Sequence, residues 1–302
     1  MNKGESTMEN TMKAAPRKMR RPQRGQDHTV QKTTPYRIIC VIVLVIIALL
    51  FMFPLYWIIT GSFKAQNVIN ARVPQWFPKE PVLGNYERLF QKPALLWMMN
   101  TVLLCAASMA LTCVCAAMGG YALAKKKFLG RTFIFSLFVC AMALPKQVIL
   151  IPLLKQMAWL KLHNTLWAVI FPTVGWPFGV FLMKQFSETI PSELLEAAKI
   201  DGAGETRTFT QIVFPLIKPG IGALAIFTFI TAWNDYFLQL IMLNDTRALT
   251  ISLGIAKLQS ELSTDFGLIM AGAALGSVPI IIIFLIFQKF FTRGITMGAV
   301  KG

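Results

Sequence analysis

Polar side chains interrupt two otherwise apolar stretches of the chain, where a polar solute could find partners. They are Lys146, Gln147, Asn234 and Asp235, and beside them lies Trp233, whose ring could stack on a solute or only pack between helices. A charged or amide group in apolar surroundings is costly, so it marks either a pathway or a contact between helices. We expect these five residues to line a pathway for a polar solute. The alternative is that Asn234 and Asp235 only cap or hydrogen-bond a neighbouring helix.

The sequence contains no recognisable set of catalytic or metal-binding residues. The two histidines are His28 and His163, and all five cysteines fall in apolar stretches, where a thiol packs as a small apolar group. Neither a Gly-x-Ser-x-Gly elbow nor a Gly-Lys dipeptide occurs, which excludes a phosphate-binding loop of the Gly-x4-Gly-Lys kind. We therefore expect no catalytic residue, no metal site and no cofactor bound by this chain.

A polar segment between two apolar stretches has the features of a short docking helix. Strong helix formers run from Ser192 to Asp201, Pro191 suits the first helical position, and Gly202 suits a left-handed cap. Leu194, Ala197 and Ala198 share one side at the i, i+3, i+4 spacing. The small alanines would let another protein approach closely, although an ordinary surface helix would show similar helical features.

Composition indicates an all-α, polytopic membrane protein. The chain is 55% hydrophobic, with mean hydropathy +0.56 and formal charge +16. A bilayer core needs about 20 mostly apolar residues per helix. Six stretches qualify: Ile38–Ile59, Trp97–Ala124, Thr132–Leu154, Thr165–Met183, Pro219–Leu243 and Gly267–Phe291. Pro145, Lys146, Gln147 and Pro152 interrupt the third, so we expect it to be kinked or broken.

The distribution of basic residues predicts the orientation in the membrane. With the N-terminus inside, 20 of the 30 lysines and arginines face the cytoplasm, together with both termini and the polar segment. Residues 1–35 form a basic, disordered cytoplasmic tail near anionic lipid, and residues 36–302 form the transmembrane domain. The tail lacks interleaved aromatic residues and adjoins a membrane span, so we expect no nucleic-acid partner.

The spacing within the polar segment closely resembles the cytoplasmic EAA loop of ABC importer permeases, here residues 186–218. The matching positions are Glu196, Ala197, Ala198, Asp201, Gly202, Ile212 and Pro215. The one departure is Phe214-Pro215 where the family usually has Leu-Pro. Flanking sequences and the C-terminal GITMGAVKG are similar to the carbohydrate, maltose-type branch, and the resemblance covers roughly residues 36–302.

This resemblance implies a type I ABC importer permease fold in the cell membrane and a set of partner proteins. They are a second, different permease subunit, two cytoplasmic ATPase subunits that carry ATP and Mg²⁺, and an extracellular or periplasmic sugar-binding protein. The EAA helix would join the permease to the ATPases. Ser252, Leu253 and Gly254 would lie in the loop that contacts the binding protein, although a helix that only covers the span ends explains that loop equally well.

Three alternatives remain open at this point. The solute could be something other than a mono- or oligosaccharide. A secondary transporter would need no ATPase, but such proteins often show paired broken spans in two related halves, and only one broken span is visible here. A membrane-embedded enzyme would require a catalytic constellation that cannot be assembled from these residues.

Overall fold

The computed structural model describes residues 35–259 and 264–299 as a succession of helices. Their bounds are α1 Pro35–Ser62, α2 Gln66–Ile69, α3 Gly84–Phe90, α4 Ala94–Lys125, α5 Arg131–Met142, α6 Leu150–Trp159, α7 Trp167–Val174, α8 Phe178–Glu188, α9 Ser192–Ile200, α10 Glu205–Thr208, α11 Phe214–Asn234, α12 Tyr236–Met242, α13 Ile251–Lys257 and α14 Phe266–Ala299. A 3₁₀ turn, Lys146–Ile149, precedes α6, and a π-helical turn, Phe209–Val213, joins α10 to α11.

Five helical stretches in the described residues are long and apolar enough to cross a membrane. They are Pro35–Ser62, Ala94–Lys125, Trp167–Glu188, Glu205–Asn234 and Phe266–Gln288. Two further helices, Arg131–Met142 and Lys146–Trp159, meet at a bend of 101° and qualify only when they are taken together, which makes the pair a sixth candidate span. The predicted six-span fold is thus confirmed, with the third span broken beside Pro145 as expected.

The predicted bounds of the fifth span were wrong. We predicted a helix from Pro219 to Leu243, but the helical stretch begins at Glu205 and ends at Asn234. Pro219 lies inside α11, where its missing N–H is tolerated. Asp235 leaves the helical conformation and caps α12 by accepting a hydrogen bond from the Leu238 amide at 3.3 Å. The polar residues therefore lie at a break in the span, not within it.

The first of two compact units ends at Leu50 and is described from residue 35 onward. Its helix is apolar, and almost all of its side chains are exposed, as expected of a segment that lipid or another subunit surrounds. Residues 1–34, which make up almost all of the predicted basic tail, lie outside the described residues.

The second unit, from Phe51 onward, is built around α4. Helices α7, α8 and α11 pack along it. Close contact with α8 depends on Gly120: a Cβ atom there would lie 2.6 Å from both the Lys184 nitrogen and the Met183 carbonyl carbon. Small residues allow helix backbones in membranes to approach in this way, because van der Waals packing drives their association.

The π-helical turn before α11 has a cause in the sequence. Pro215 has no N–H, so the regular ladder of backbone hydrogen bonds cannot continue through it. Irregular turns are a common way for a helix to pass such a break. The turn brings Val213 and Phe209 onto the cluster that contains Tyr121, Met183 and Ile217.

The loop between α1 and α4 contains two short helices, α2 and α3. Asn85 of α3 lies at its centre, where its buried amide donates to the Ser62 carbonyl at 2.8 Å and the Lys64 carbonyl at 2.9 Å. Such side-chain to backbone bonds satisfy the carbonyls that the end of α1 leaves unpaired. Helices as short as α2 and α3 show no clear periodic pattern of apolar residues.

Prediction for the α4–α8 contact. Gly120→Val should destabilise the protein by about 3 kcal/mol, because the added side chain must displace backbone atoms of α8. The thermal midpoint of the detergent-purified protein measures this loss. Gly119→Ala is the matched control, since its Cβ would meet Val180 at an ordinary 3.7 Å. Equal midpoints for the two variants would contradict the assigned packing.

Candidate functional site

Helix α9 ends in a fully formed Schellman motif. The Ala203 amide donates to the Ala198 carbonyl at 2.9 Å, and the Gly202 amide donates to the Lys199 carbonyl at 3.1 Å. Gly202 has the left-handed conformation, with φ 73°, that this motif requires. The predicted helix and its cap are thus present. Pro191, expected at the first helical position, instead precedes the helix with ψ 136°.

The exposed side of α9 differs in part from the predicted docking face. Ala198 is only 5% exposed, because other residues of the chain cover it. Glu196 and Ala197 are exposed as expected, and Leu194 lies at the edge of the exposed side. Ile200, which sequence reasoning did not select, is 86% exposed. Its position three residues after Ala197 was the signal that could have identified it.

The remaining predicted coupling residues follow α9 in the chain. Asp201 is the exposed residue before the cap. Ile212 is half-buried within the π-helical turn, and Pro215 is exposed at the start of α11. These two residues belong to the segment that follows α10, not to α9 itself.

A cavity lies where the broken third span meets the break after α11. Lys146 and Asp235 form an ion pair across it, with 3.5 Å between the Nζ and a carboxylate oxygen. The Lys146 ammonium also lies 4.8 Å from the centre of the Trp176 ring. Gln147 and Thr173 complete the polar lining. The structure therefore brings together Lys146, Gln147 and Asp235 of the predicted pathway.

Two other predicted pathway residues point elsewhere. Trp233 is buried in the hydrophobic core, with its ring stacked 5.6 Å from that of Phe229. Asn234 is exposed and donates to the Ile230 carbonyl of its own helix at 2.9 Å. Both positions follow from the end of α11, whose last turn directs Trp233 into the core. Sequence alone could not give the rotation of that turn.

Threonine hydroxyls, which sequence reasoning missed, line a second cavity beside Lys146. They belong to Thr112, Thr173, Thr228 and Thr231, and the side chains of Trp176 and Phe178 lie among them. Among the described residues, the buried Thr112 hydroxyl has no hydrogen-bond partner. Buried polar groups are nearly always paired, so an unpaired hydroxyl on a residue that lines a cavity is a candidate partner for water or a solute. Threonine gives little signal in apolar helices because its methyl group packs well.

Helix α13 carries the residues expected to touch a binding protein, and two of the three are buried. Leu253 is buried, and a Cβ on Gly254 would lie 2.1 Å from the Trp97 ring. Only Ser252 is partly exposed. Thr101 of α4 accepts from the Ile251 amide at 2.8 Å and so fixes the start of α13. Part of the same loop, residues 260–263, lies outside the described residues.

A sequence profile decides the family. The profile described as binding-protein-dependent transport system inner membrane component matches residues 93–297, which include α4, the broken span, α9 and α14. The chain belongs to this family. It is therefore a multi-pass membrane permease subunit, and the resemblance inferred from the sequence is confirmed.

Curated relatives of this permease match over most of both chains. The arabinooligosaccharides transport system permease protein AraQ of Halalkalibacterium halodurans is 34% identical over 85% of this chain and 93% of its own. The trehalose/maltose transport system permease protein MalG of Thermococcus litoralis is 30% identical over 88% of this chain and 97% of its own. The permease is thus similar to the carbohydrate branch along almost its whole length.

Solved structures confirm the fold of the permease. A chain of a bacterial ABC transporter involved in the import of the acidic polysaccharide alginate superposes with a TM-score of 0.76. It is 20% identical and covers 86% of this chain and 98% of its own. A second structure, of the alginate transporter in complex with an alginate pentasaccharide-bound periplasmic protein, gives a TM-score of 0.58 at 15% identity.

The cysteines and the possible metal ligands of the described residues can be located individually. The five cysteines are unpaired thiols. Within residues 35–259 and 264–299, no group of three or more His, Cys, Asp and Glu side chains is placed to hold a metal ion. The chemistry on view is therefore that of hydrogen bonding, ion pairing and aromatic stacking.

Prediction for the cap of α9. Gly202→Ala should destabilise the end of α9 by about 1 kcal/mol, because an L residue is strained at this φ. Hydrogen exchange at the Gly202 and Ala203 amides measures the effect. Gly204→Ala is the control: Gly204 has φ −68°, and neither glycine has an atom within 4 Å of an added Cβ. Slower exchange in the Gly202 variant than in the control would contradict the assignment.

Proposed function

We propose that this permease moves a mono- or oligosaccharide into the cytoplasm by alternating access, driven by separate ATPase subunits that bind α9. The observation that carries the proposal is the capped helix α9, which presents Ala197 and Ile200 to the exterior of the chain between two membrane spans. An apolar, exposed patch on a short, rigid helix is what a groove in another protein can hold.

The saccharide assignment rests on the cavity and on the relatives together. A sugar ring combines apolar faces with many hydroxyl groups. Trp176 and Phe178 offer aromatic surface, the threonine hydroxyls and Lys146 donate hydrogen bonds, and Asp235 accepts them. The relatives named for arabinooligosaccharides and for trehalose and maltose support the same solute class.

The Lys146–Asp235 pair suits a pathway that opens and closes. Each charge stabilises the other while the cavity is empty, since an unpaired charge in a membrane is costly. A sugar hydroxyl that enters between the two groups replaces part of that interaction with hydrogen bonds to both. The ion pair thereby stabilises the two charges in the empty pathway and does not permanently block the entry of a sugar.

The proposed assembly contains this permease, a second permease subunit, two ATPase subunits with ATP and Mg²⁺, and a sugar-binding protein outside the membrane. Both termini and α9 face the cytoplasm, in agreement with the excess of basic residues on that side. Closure of the ATPases on nucleotide draws the docked helices together and favours the outward-facing pathway. Hydrolysis of ATP then allows the pathway to return to the inward-facing state. Shifting such an equilibrium from 1:99 to 99:1 takes about 5.5 kcal/mol, so the joint must be stiff.

Prediction for the docking surface. Ile200→Asp should leave the permease in the membrane but release the ATPase subunits, because a charge replaces an apolar contact. Co-purification of the ATPase and sugar uptake by cells both measure this, and we expect at least a tenfold loss of uptake, equivalent to about 1.4 kcal/mol of binding. Leu129→Asp is the control, since Leu129 is a fully exposed apolar residue in the loop between α4 and α5. Retention of the ATPase by both variants would refute the proposed joint.

Prediction for the solute cavity. Thr112→Val removes an unpaired hydroxyl that lines the cavity, and it should raise the sugar concentration for half-maximal uptake about fivefold, the value of one hydrogen bond near 1 kcal/mol. Radiolabelled uptake measures it. Ser108→Ala is the control, because Ser108 also has an unpaired buried hydroxyl one turn earlier in α4 but does not line this cavity. The same change in both variants would show that Thr112 does not meet the solute.

A further inference from the structure

The C-terminal end of α4 contacts both arms of the loop that carries α9. Lys125 is the last residue of α4, and Lys126 follows it directly. One arm runs from α8 to α9, and the other runs from α9 through α10 and the π-helical turn to α11. The two neighbouring lysines bind one arm each.

The Lys125 side chain binds backbone carbonyls of the first arm. The ammonium donates to the Ile190 carbonyl at 2.5 Å and to the Glu188 carbonyl at 3.2 Å. Carbonyls at the end of a helix such as α8 lack partners within the helix, and a positive charge there also complements the helix dipole. Ile190 is buried, so the arm has little freedom to leave Lys125.

Lys126 binds the second arm through an ion pair. The ammonium forms an ion pair with the Glu205 carboxylate at the start of α10, and it lies 5.2 Å from the centre of the Tyr121 ring. Burial lowers the pKa of Lys126, but the contacts with Glu205 and Tyr121 outweigh burial and hold the pKa above its ordinary value. Tyr121 in turn contacts Phe209, with 5.6 Å between ring centres.

The same helix reaches the solute cavity. Thr112 precedes Lys125 by 13 residues in α4, which corresponds to about 20 Å at the rise of an α-helix. Movement of α9 that is transferred to the end of α4 therefore arrives at the cavity without passing through a flexible loop. Close packing at Gly120 makes α8 follow the same movement.

We propose that Lys125 and Lys126 form a two-armed clamp that makes α4 follow the movement of α9, and that they are positioning residues for energy coupling. This role rests on the proposed function, since it requires that α9 is moved by a partner. The lysines touch neither solute nor nucleotide. Their effect is on the stoichiometry of transport, the sugar moved per ATP hydrolysed.

The test compares the double variant Lys125→Met, Lys126→Gln with the control Lys127→Gln in the complete transport complex. Lys127 is the adjacent, exposed residue of the same triplet, and no contact of its side chain is among those described. We expect the double variant to move about tenfold less sugar per ATP, while the control keeps the ratio of the unmodified complex. Equal ratios in the two variants would overturn the clamp.

A second measurement does not depend on an ATPase. In the purified permease, trypsin should cut after Arg207 several times faster in the double variant than in the control, because the second arm is released. Faster cleavage without any ATP-driven uptake even in the unmodified complex would refute the proposed function and leave the structural clamp standing. Faster cleavage with an unchanged sugar-to-ATP ratio would refute the positioning role.

Charge reversal separates the clamp from a general folding effect. Lys126→Glu should lower the sugar-to-ATP ratio about fivefold, the upper range for an exposed ion pair. Adding Glu205→Lys should restore most of it, because the pair is re-formed with opposite signs. If the single reversal lowers the ratio and the double reversal fails to restore it, the Lys126–Glu205 pair is not the second arm of the clamp.

Discussion

The close contact of α4 with α8 at Gly120 is the constraint on which the rest of the described structure depends. No side chain separates the two backbones at this point, so the helices can neither slide nor separate without loss of contact. At one end of this pair lie Lys125 and both arms of the α9 loop. Thr112 lies closer than Lys125 to the N-terminal end of α4 and lines the cavity. A single rigid pair of helices thus fixes the distance between the docking surface and the proposed pathway.

Local chemistry made parts of the fold predictable. The helix formers from Ser192 onward and the cap at Gly202 depend on neighbouring residues only, and both agree with the structure. Apolar length identified all six spans, and Pro145 marked the broken one. The bounds of the fifth span failed because Asp235 ends the helix by capping the next one, a role that its apolar surroundings did not reveal.

The direction in which each side chain faces was less predictable. Ala198 and Ala197 are adjacent and alike, yet only Ala198 contacts the rest of the chain, because the arms of the loop fix the rotation of α9. Gly254 and Leu253 pack inward because the hydrogen bond that the Ile251 amide donates to Thr101 of α4 fixes the start of α13. In each case contacts distant in sequence set the rotation. The threonine-lined cavity has the same origin, since its hydroxyls come from three separate stretches of chain.

The π-helical turn at Phe209–Val213 sets an angular phase between the two halves of this helical stretch. Each residue added to or removed from an α-helix turns everything beyond it by about 100°. A chain one residue shorter in this turn would carry Glu205 around the helix axis and away from Lys126, although every side chain of the contact would still be present. Insertions and deletions are therefore far less tolerable here than substitutions, and the length of this turn is as much a part of the interaction as the charges that it aligns.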